Sequence, residues 1–486
     1  MLFNSLSFLL FFPITTVIYF LLPHRVRWVH LLACSCVFYA AFIPAYLLVL
    51  LAVILIDYVA GLLIERASGR GRIAFLVLSL AANIGVLAVF KYFNFVNENL
   101  RGIAHFIHWN YPIRNLGMLL PIGLSFHTFQ SMAYTIEVYR GRQKAERNLG
   151  IYSLYVMFYP QLVAGPIERP QQLLHQFRER HDFDADRAFD GLRQMLWGFC
   201  KKVVIADRLA AIVDGIYADP THAGGAYLIL ATWLFAVQIY CDFAGYSDIA
   251  IGAARVLGFK LMTNFDRPYA SRSVAEFWRR WHISLSTWFR DYLYIPLGGS
   301  RVTAPRWCFN VIVVFLISGM WHGASWTFAV WGALHGLYLI ASRLSKNPRD
   351  RLARALGIET FPRLHAAWRV FITFNLISLA WVFFRAPTLG DAWALLGRIP
   401  APDFWARPQL PFAAFGRLAF SPSDCNLAVA LAVFLFVAEW LQSRNIDVSP
   451  PHSIPIWLRW PVYYALIVVI LWIGALGGQT FIYFQF

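Results

Sequence analysis

The chain has 486 residues, of which 59% are hydrophobic and only 14% charged, and its mean hydropathy is +0.54. A water-soluble domain carries about 25% charged residues, so this balance excludes an ordinary soluble enzyme and points to a polytopic membrane protein. The formal charge of +16 suggests nucleic acid at first sight, but in an apolar chain a basic excess reports orientation in the bilayer, and no nucleic-acid partner is expected.

Apolar runs of the length that crosses a bilayer, roughly 17–25 residues, lie near 5–22, 29–43, 45–63, 73–93, 117–137, 226–243, 307–320, 325–342, 367–384, 426–441 and 459–476. The expected fold is therefore all-α, with about eleven transmembrane helices. Segments 150–165 and 191–206 are shorter or interrupted and read as re-entrant or tilted. The first span lacks a basic flank before it and a small-x-small site after it, so it reads as a retained helix. Arg25 and Arg27, then Arg66, Arg70 and Arg72, then Arg140, Arg142, Lys144 and Arg147 mark alternate loops. The positive-inside rule makes those loops cytoplasmic and puts the N-terminus outside.

Six cysteines (Cys34, Cys36, Cys200, Cys241, Cys308 and Cys425) form no CxxC pair and no zinc spacing with histidine; no metal is expected, and the thiols read as small buried hydrophobes. No repeat or low-complexity segment is visible, so residues 1–486 read as a single domain. Three polar stretches interrupt the spans. Residues 166–190 read as a short amphipathic cytoplasmic helix, and 386–425 as a long loop. Residues 260–306 carry more chemistry. There Ser273 and Glu276 form a capping-box signature, and an ideal helix from 274 onward gathers Phe277, Trp278, Trp281, Leu285, Trp288 and Phe289 on one side. Arg279 and Arg280 fall on the opposite, wet side. Such a helix suits the membrane interface. His282 falls between the faces, either snorkelling toward water or aimed into a cavity.

The segment SGMWHGASWTFAVWGALHG, 318–336, holds His322 and His335 without any formally charged residue. It reads as one long helix or as two spans broken near Gly319–Ser325. Each histidine precedes the second glycine of a GxxxG pattern, which lets helices approach closely. In a continuous helix, thirteen residues separate the two by about 20 Å of rise and about 220° of rotation, so they would not serve one site. An intramembrane ionisable group is a functional candidate by default, against the alternative of a neutral ring bonded to a neighbouring helix. Glycine-rich surroundings favour His322 over His335. Gln238, Asp242, Tyr246, Ser247 and Asp248, and His127, Gln130, Tyr134 and Glu137, read first as interhelical hydrogen-bonding groups; Asp242 and Asp248 could pair with Arg279 or Arg280. There is no P-loop, dinucleotide-binding glycine motif, GxSxG elbow or HExxH.

The run DFAGYSDIAIGAARVLGFKLMTNFDRPYASRSVAEFWRRWHISLSTWFRDYLYIPLGGSR, followed by SGMWHGASWTFAVWGALHG, resembles the membrane-bound O-acyltransferase family, and most closely its bacterial branch of alginate O-acetylases. FNSLSFLLFFPITTVIYFLLP, LPIGLSFHTFQSMAYTIEVYRG and FYPQLVAGPIERP are similar to the same branch, and the likeness covers roughly residues 1–390. The resemblance implies an inner-membrane, multi-pass acyltransferase with a central cavity, no permanently bound cofactor and a cytoplasmic thioester donor, acetyl-CoA. It places the family's central histidine on His322, as general base, and a second functional position, often asparagine or histidine, on His282, which would orient the acceptor or polarise the thioester carbonyl. Arg279, Arg280, Trp321 and Tyr246 are the candidate substrate-binding residues, and 260–306 the interfacial catalytic segment. The resemblance further implies a periplasmic partner that passes the acetyl group to a polysaccharide, alginate first, with cellulose or peptidoglycan acetylation as alternatives. Readings of another class are a transporter with a histidine proton relay and a scaffold that recruits a periplasmic enzyme.

Overall fold

The structure, a computed structural model, describes residues 1–118, 120–163, 165–218, 225–399, 422–443, 456–472, 474 and 481–482. Among them there are helices and turns but no strand. The longer helices are α1 (Leu6–Leu21), α2 (His24–Ala40), α3 (Pro44–Arg66), α4 (Gly69–Leu87), α5 (Phe93–Phe106), α6 (Leu124–Tyr139), α7 (Leu149–Met157), α8 (Ala185–Phe199), α9 (Asp207–Ala218) and α10 (Gly225–Leu257). They continue as α11 (Val274–Arg280), α12 (Ile283–Phe289), α13 (Ala304–His322), α14 (Trp326–Leu344), α15 (Lys346–Ala355), α16 (Pro362–Arg385), α17 (Leu389–Arg398), α18 (Pro422–Ser443) and α19 (Ile456–Trp472).

Six helices among the described residues are long and apolar enough to cross a membrane: Pro44–Arg66, Gly69–Phe106, Gly225–Leu257, Ala304–His322, Pro362–Arg385 and Cys425–Gln442. Leu6–Leu21 and Trp460–Trp472 are shorter apolar helices. Helices α2, α6 and α14 overlap the expected spans 29–43, 117–137 and 325–342, α6 beginning only at Leu124, but are shorter or less apolar than that standard. The expected helix over 166–190 does not form. That stretch is broken into turns at Pro170–Leu173 and His175–Arg178, and the next helix begins at Ala185. Of the expected loop 386–425, residues 389–398 form α17, opened by a capping box between Thr388 and Asp391; residues 400–421 lie outside the described residues.

The chain divides into two compact units, Met1–Met195 with Tyr246–Thr263, and Leu196–Gly245 with Asn264–Phe486. In the first unit, Asp57 of α3 is fully buried and accepts from Ser79 Oγ at 2.6 Å and from Asn83 Nδ2 at 2.9 Å, both on α4. Ser79 Oγ also lies 3.1 Å from Thr135 Oγ1 of α6, and two neutral donors of one helix satisfy the buried carboxyl. In the loop after α7, Glu168 accepts the Met262 N–H at 2.7 Å, and burial pushes its carboxyl up to about 7.

The second unit has a large aromatic core, centred on Trp281, Trp331 and Trp381. Its helical hairpin α13–α14 is drawn together by glycine. A Cβ on Gly332 would stand 2.2 Å from the Phe315 carbonyl oxygen, and one on Gly319 would stand 2.2 Å from that of Phe328. Only a missing side chain permits this approach. Nearby, Lys202 is buried in a π-helical turn, Cys200–Ala206. Its ammonium lies 2.8 Å from Asp207 Oδ1 and 2.6 Å from Asp242 Oδ1, while Asp242 Oδ2 accepts the Ile482 N–H at 2.7 Å. A buried charge survives only when paired and hydrogen-bonded in this way.

Candidate active site

The segment 318–336 is two helices. Helix α13 ends at His322, Gly323 is extended at φ −160°, and α14 starts at Trp326 with Ser325 as its cap, accepting from the Thr327 N–H. The rise-and-rotation separation of a continuous helix therefore does not apply, yet the two histidines still occupy different places. His335 is fully buried and accepts a hydrogen bond from the Trp278 indole on Nδ1 at 3.3 Å. Trp331 lies between them, its ring centre 5.0 Å from that of His322 and 4.8 Å from that of His335.

His322 is 3% exposed and enclosed by rings. Trp321, Trp331 and Phe384 stand edge-on to it, at centroid distances of 4.9, 5.0 and 5.4 Å. The hairpin supplies the first two and α16 the third, so the imidazole sits in an apolar, water-poor cage at a helix end.

His282 is set differently. The expected single helix from 274 onward is broken at this residue: α11 stops at Arg280, and His282 adopts φ 43°, ψ 56° before α12 begins. A left-handed non-glycine residue is uncommon, histidine and asparagine being among the types that tolerate it, and such strain persists only where surrounding contacts enforce it. Here the enforcement is a pair of backbone bonds across the break, Asp266 N–H to Arg280 O and Ile283 N–H to Asn264 O, both 2.9 Å. The consequence is that His282 is fully buried against Phe243, at a centroid distance of 4.6 Å. It does not snorkel at an interface.

The polar contacts of His282 fix its tautomer. Asn264 Oδ1 receives the Ser284 N–H at 3.3 Å and the Ser284 hydroxyl at 3.0 Å, and His282 Nδ1 lies 3.0 Å from the same oxygen. The Ser284 amide can only donate, so the Asn264 atom is an acceptor and Nδ1 carries the proton. Nε2 is then the nitrogen with a lone pair. Burial pushes the imidazole down to about 3, so it is neutral at physiological pH.

Of the other sequence candidates, Trp321 is the one brought to both histidines: its ring stands 6.1 Å from His282 and 4.9 Å from His322, edge-on to each. Arg279 and Arg280 part company. Arg280 pairs with Glu276 at 2.8 Å within α11, whereas Arg279 lines a cavity of about 580 Å³ to which neither His282 nor His322 contributes. Tyr246 is buried in the first unit, its hydroxyl accepting the Phe3 N–H at 3.3 Å. The expected pairing of Asp242 with an arginine is replaced by Lys202, and Asp248 accepts from Gln194 at 3.2 Å. Asn264, Ser284 and Lys202 escaped the sequence reading. Asn264 lies 18 residues before His282, and no local spacing connects them. Among the described residues, no group of His, Cys, Asp and Glu is placed to hold a metal ion.

The membrane-bound O-acyltransferase family profile matches residues 140–386, which contain His282, Asn264, Trp321 and His322. A probable alginate O-acetylase of Azotobacter vinelandii is 42% identical over 445 residues, covering 90% of this chain and 85% of that protein. One from Pseudomonas putida is 37% identical over 506 residues and covers both chains completely. A peptidoglycan O-acetyltransferase of Helicobacter pylori is 35% identical, over 82% of this chain and 79% of that protein. An all-α membrane fold, with two buried histidines joined by one tryptophan inside the matched region, thus accompanies full-length similarity to acetyl-transferring enzymes. The chain belongs to the membrane-bound O-acyltransferase family and is an O-acyltransferase.

Proposed function

We propose that the protein is a bacterial inner-membrane O-acetyltransferase that takes acetyl from cytoplasmic acetyl-CoA and passes it across the membrane, through a periplasmic partner, for O-acetylation of alginate. The observation that carries this reading is the similarity to alginate O-acetylases along the whole chain, combined with a caged histidine at the position the family resemblance makes central. The peptidoglycan O-acetyltransferase relative supports peptidoglycan as a second acceptor.

In this reading His322 is the general base. The acceptor oxygen attacks the thioester carbonyl as His322 takes its proton; the C–S bond breaks, and the proton passes to the departing thiolate. A neutral imidazole suits proton transfer near neutral pH. The ring sits on the last residue of α13, where the negative end of the helix dipole favours the positive charge it acquires. His282 cannot polarise the thioester carbonyl through Nε2, because that nitrogen bears no hydrogen in the tautomer that Asn264 imposes. Its role in this reading is to accept a hydrogen bond and orient the acceptor, with Trp321 as the wall shared by the two rings.

The test is acetyl transfer from radiolabelled acetyl-CoA in membranes carrying the wild type or His322→Ala. Loss of transfer in the variant supports the base assignment; unchanged transfer overturns it. The acceptor is tested in a deletion strain, where loss of acetate from alginate alone supports the first reading and loss from peptidoglycan supports the second.

A further inference from the structure

The cavity lined by Arg279 belongs to the second unit but not to the histidine site. It opens between α11–α12 on one side and the hairpin α13–α14 on the other. Four cations line it, Arg279, Arg290, Arg343 and Lys346, and no aspartate or glutamate does. Arg290 is bonded to Asp291 beside it at 2.8 Å. The Arg343 guanidinium lies 4.2 Å from the ring centre of Trp307, and the Trp307 indole donates to the Tyr294 hydroxyl at 3.0 Å. One cation is thereby held in place on an ordered aromatic pair.

Away from the cations the walls are hydrocarbon: Leu285, Phe289, Val311, Val314, Phe315 and Leu339. The hairpin lining runs along α13 from Trp307 to Ser318, eleven residues or about 16 Å of helix. Half the hydrocarbon thickness of a bilayer is about 15 Å, so the groove matches one leaflet. The cationic end of the hairpin also carries Arg301, Arg306, Arg349, Arg351 and Arg354, which marks it as cytoplasmic.

We infer that this cavity is a binding site for an anionic phospholipid of the cytoplasmic leaflet, its phosphate held by Arg279, Arg290, Arg343 and Lys346 and one acyl chain laid along Val311, Val314 and Leu339. Charge complementarity selects a phosphate head over a neutral one. The apolar depth selects an acyl chain over the pantetheine arm of the donor. That arm carries two amides, and apart from Ser286, Ser318 and Ser342 the lining below the cations would leave them unsatisfied. Ser286 is moreover already bonded to the Trp281 carbonyl at 3.1 Å.

The experiment uses the purified full-length protein in detergent, titrated with phosphatidylglycerol or phosphatidylcholine of identical chains and read by native mass spectrometry. Acetyl-CoA KM is measured on the same samples. Arg343 and Lys346 are exposed, so the double variant R343E/K346E should fold; Val314→Trp fills the groove without changing charge. The inference expects wild type to prefer phosphatidylglycerol, the double variant to bind it about tenfold or more weakly, Val314→Trp to lose it as well, and acetyl-CoA KM to stay within about twofold. Equal binding of the two lipids by the wild type overturns it, as does undiminished phosphatidylglycerol binding in the variants. A rise in acetyl-CoA KM in the double variant would give the cavity to the donor and overturn it too.

Discussion

His322 and His282 are both buried histidines in contact with Trp321, yet the chain builds their surroundings by opposite means. Around His322 the work is done by shape: two glycines let α13 and α14 meet, and three rings close over the helix end. Around His282 it is done by hydrogen bonds: a left-handed break is held by backbone pairing with residues 264–266, and one asparagine oxygen dictates which nitrogen carries the proton. An aromatic cage keeps the ring away from bulk water, which fits the general-base role proposed for His322. A fixed tautomer fits the orienting role proposed for His282.

That contrast can be broken most forcefully at His322. His322→Ala is expected to reduce acetyl transfer by about a thousandfold, within the range for removing a general base, while the protein still accumulates in the membrane. Rates of transfer from labelled acetyl-CoA check this. If the loss is under about tenfold, the two histidines are not divided as described.

On the hydrogen-bonded side, Asn264→Ala strips the acceptor from His282 Nδ1 and from both Ser284 donors. Leaving buried donors unsatisfied costs about 1–3 kcal/mol each, so the variant should melt at a lower temperature and turn over more slowly. Asn264→Asp restores an acceptor oxygen and should recover much of the rate; equal rates for the two variants would mean that the tautomer is irrelevant.

On the shape-built side, Gly332→Ala forces α13 and α14 apart. Overpacking of this kind costs about 1–3 kcal/mol. Its mark should be lowered thermal stability with a kcat reduced through displacement of His322, and an unchanged melting temperature would show that the hairpin has room to spare.

The smallest effect concerns acid. His282 stays neutral in the fold down to about 3, whereas in the unfolded chain it takes a proton near 6.5. The unfolded state therefore binds the extra proton, and stability is lost as pH falls below about 6.5. His282→Asn removes that term, so the variant should gain on wild type by about 2 kcal/mol at pH 5 and not at all at pH 7.5. Thermal melts of both proteins across that window check the sign.

Much of this was legible in the sequence. The all-α membrane class follows from hydropathy, though six helices and not eleven are long and apolar enough to cross among the described residues. The two GxxxG patterns point to close helix contacts, which Gly319 and Gly332 make between α13 and α14, while whether the segment is one helix or two stays open in the sequence. The Ser273 cap is also present, accepting from the Glu276 N–H at 3.2 Å, although Glu276 reaches the amide of Arg272 instead of that of Ser273. The break at His282 was not legible. No glycine or proline marks it, and apolar periodicity continues across it, because the bonds that force the left-handed turn come from residues 264–266. Lys202 was hidden for a similar reason: its two carboxylate partners lie 5 and 40 residues away, the farther on another helix.

The most direct test of the division of labour is the acetyl-transfer rate of His282→Asn beside that of His322→Ala. Asparagine tolerates the left-handed conformation and can offer its amide N–H to Asn264, but has no basic nitrogen. The account predicts that His282→Asn retains at least about a tenth of wild-type transfer while His322→Ala loses about a thousandfold. A His282→Asn protein that is folded and as inactive as His322→Ala would contradict it.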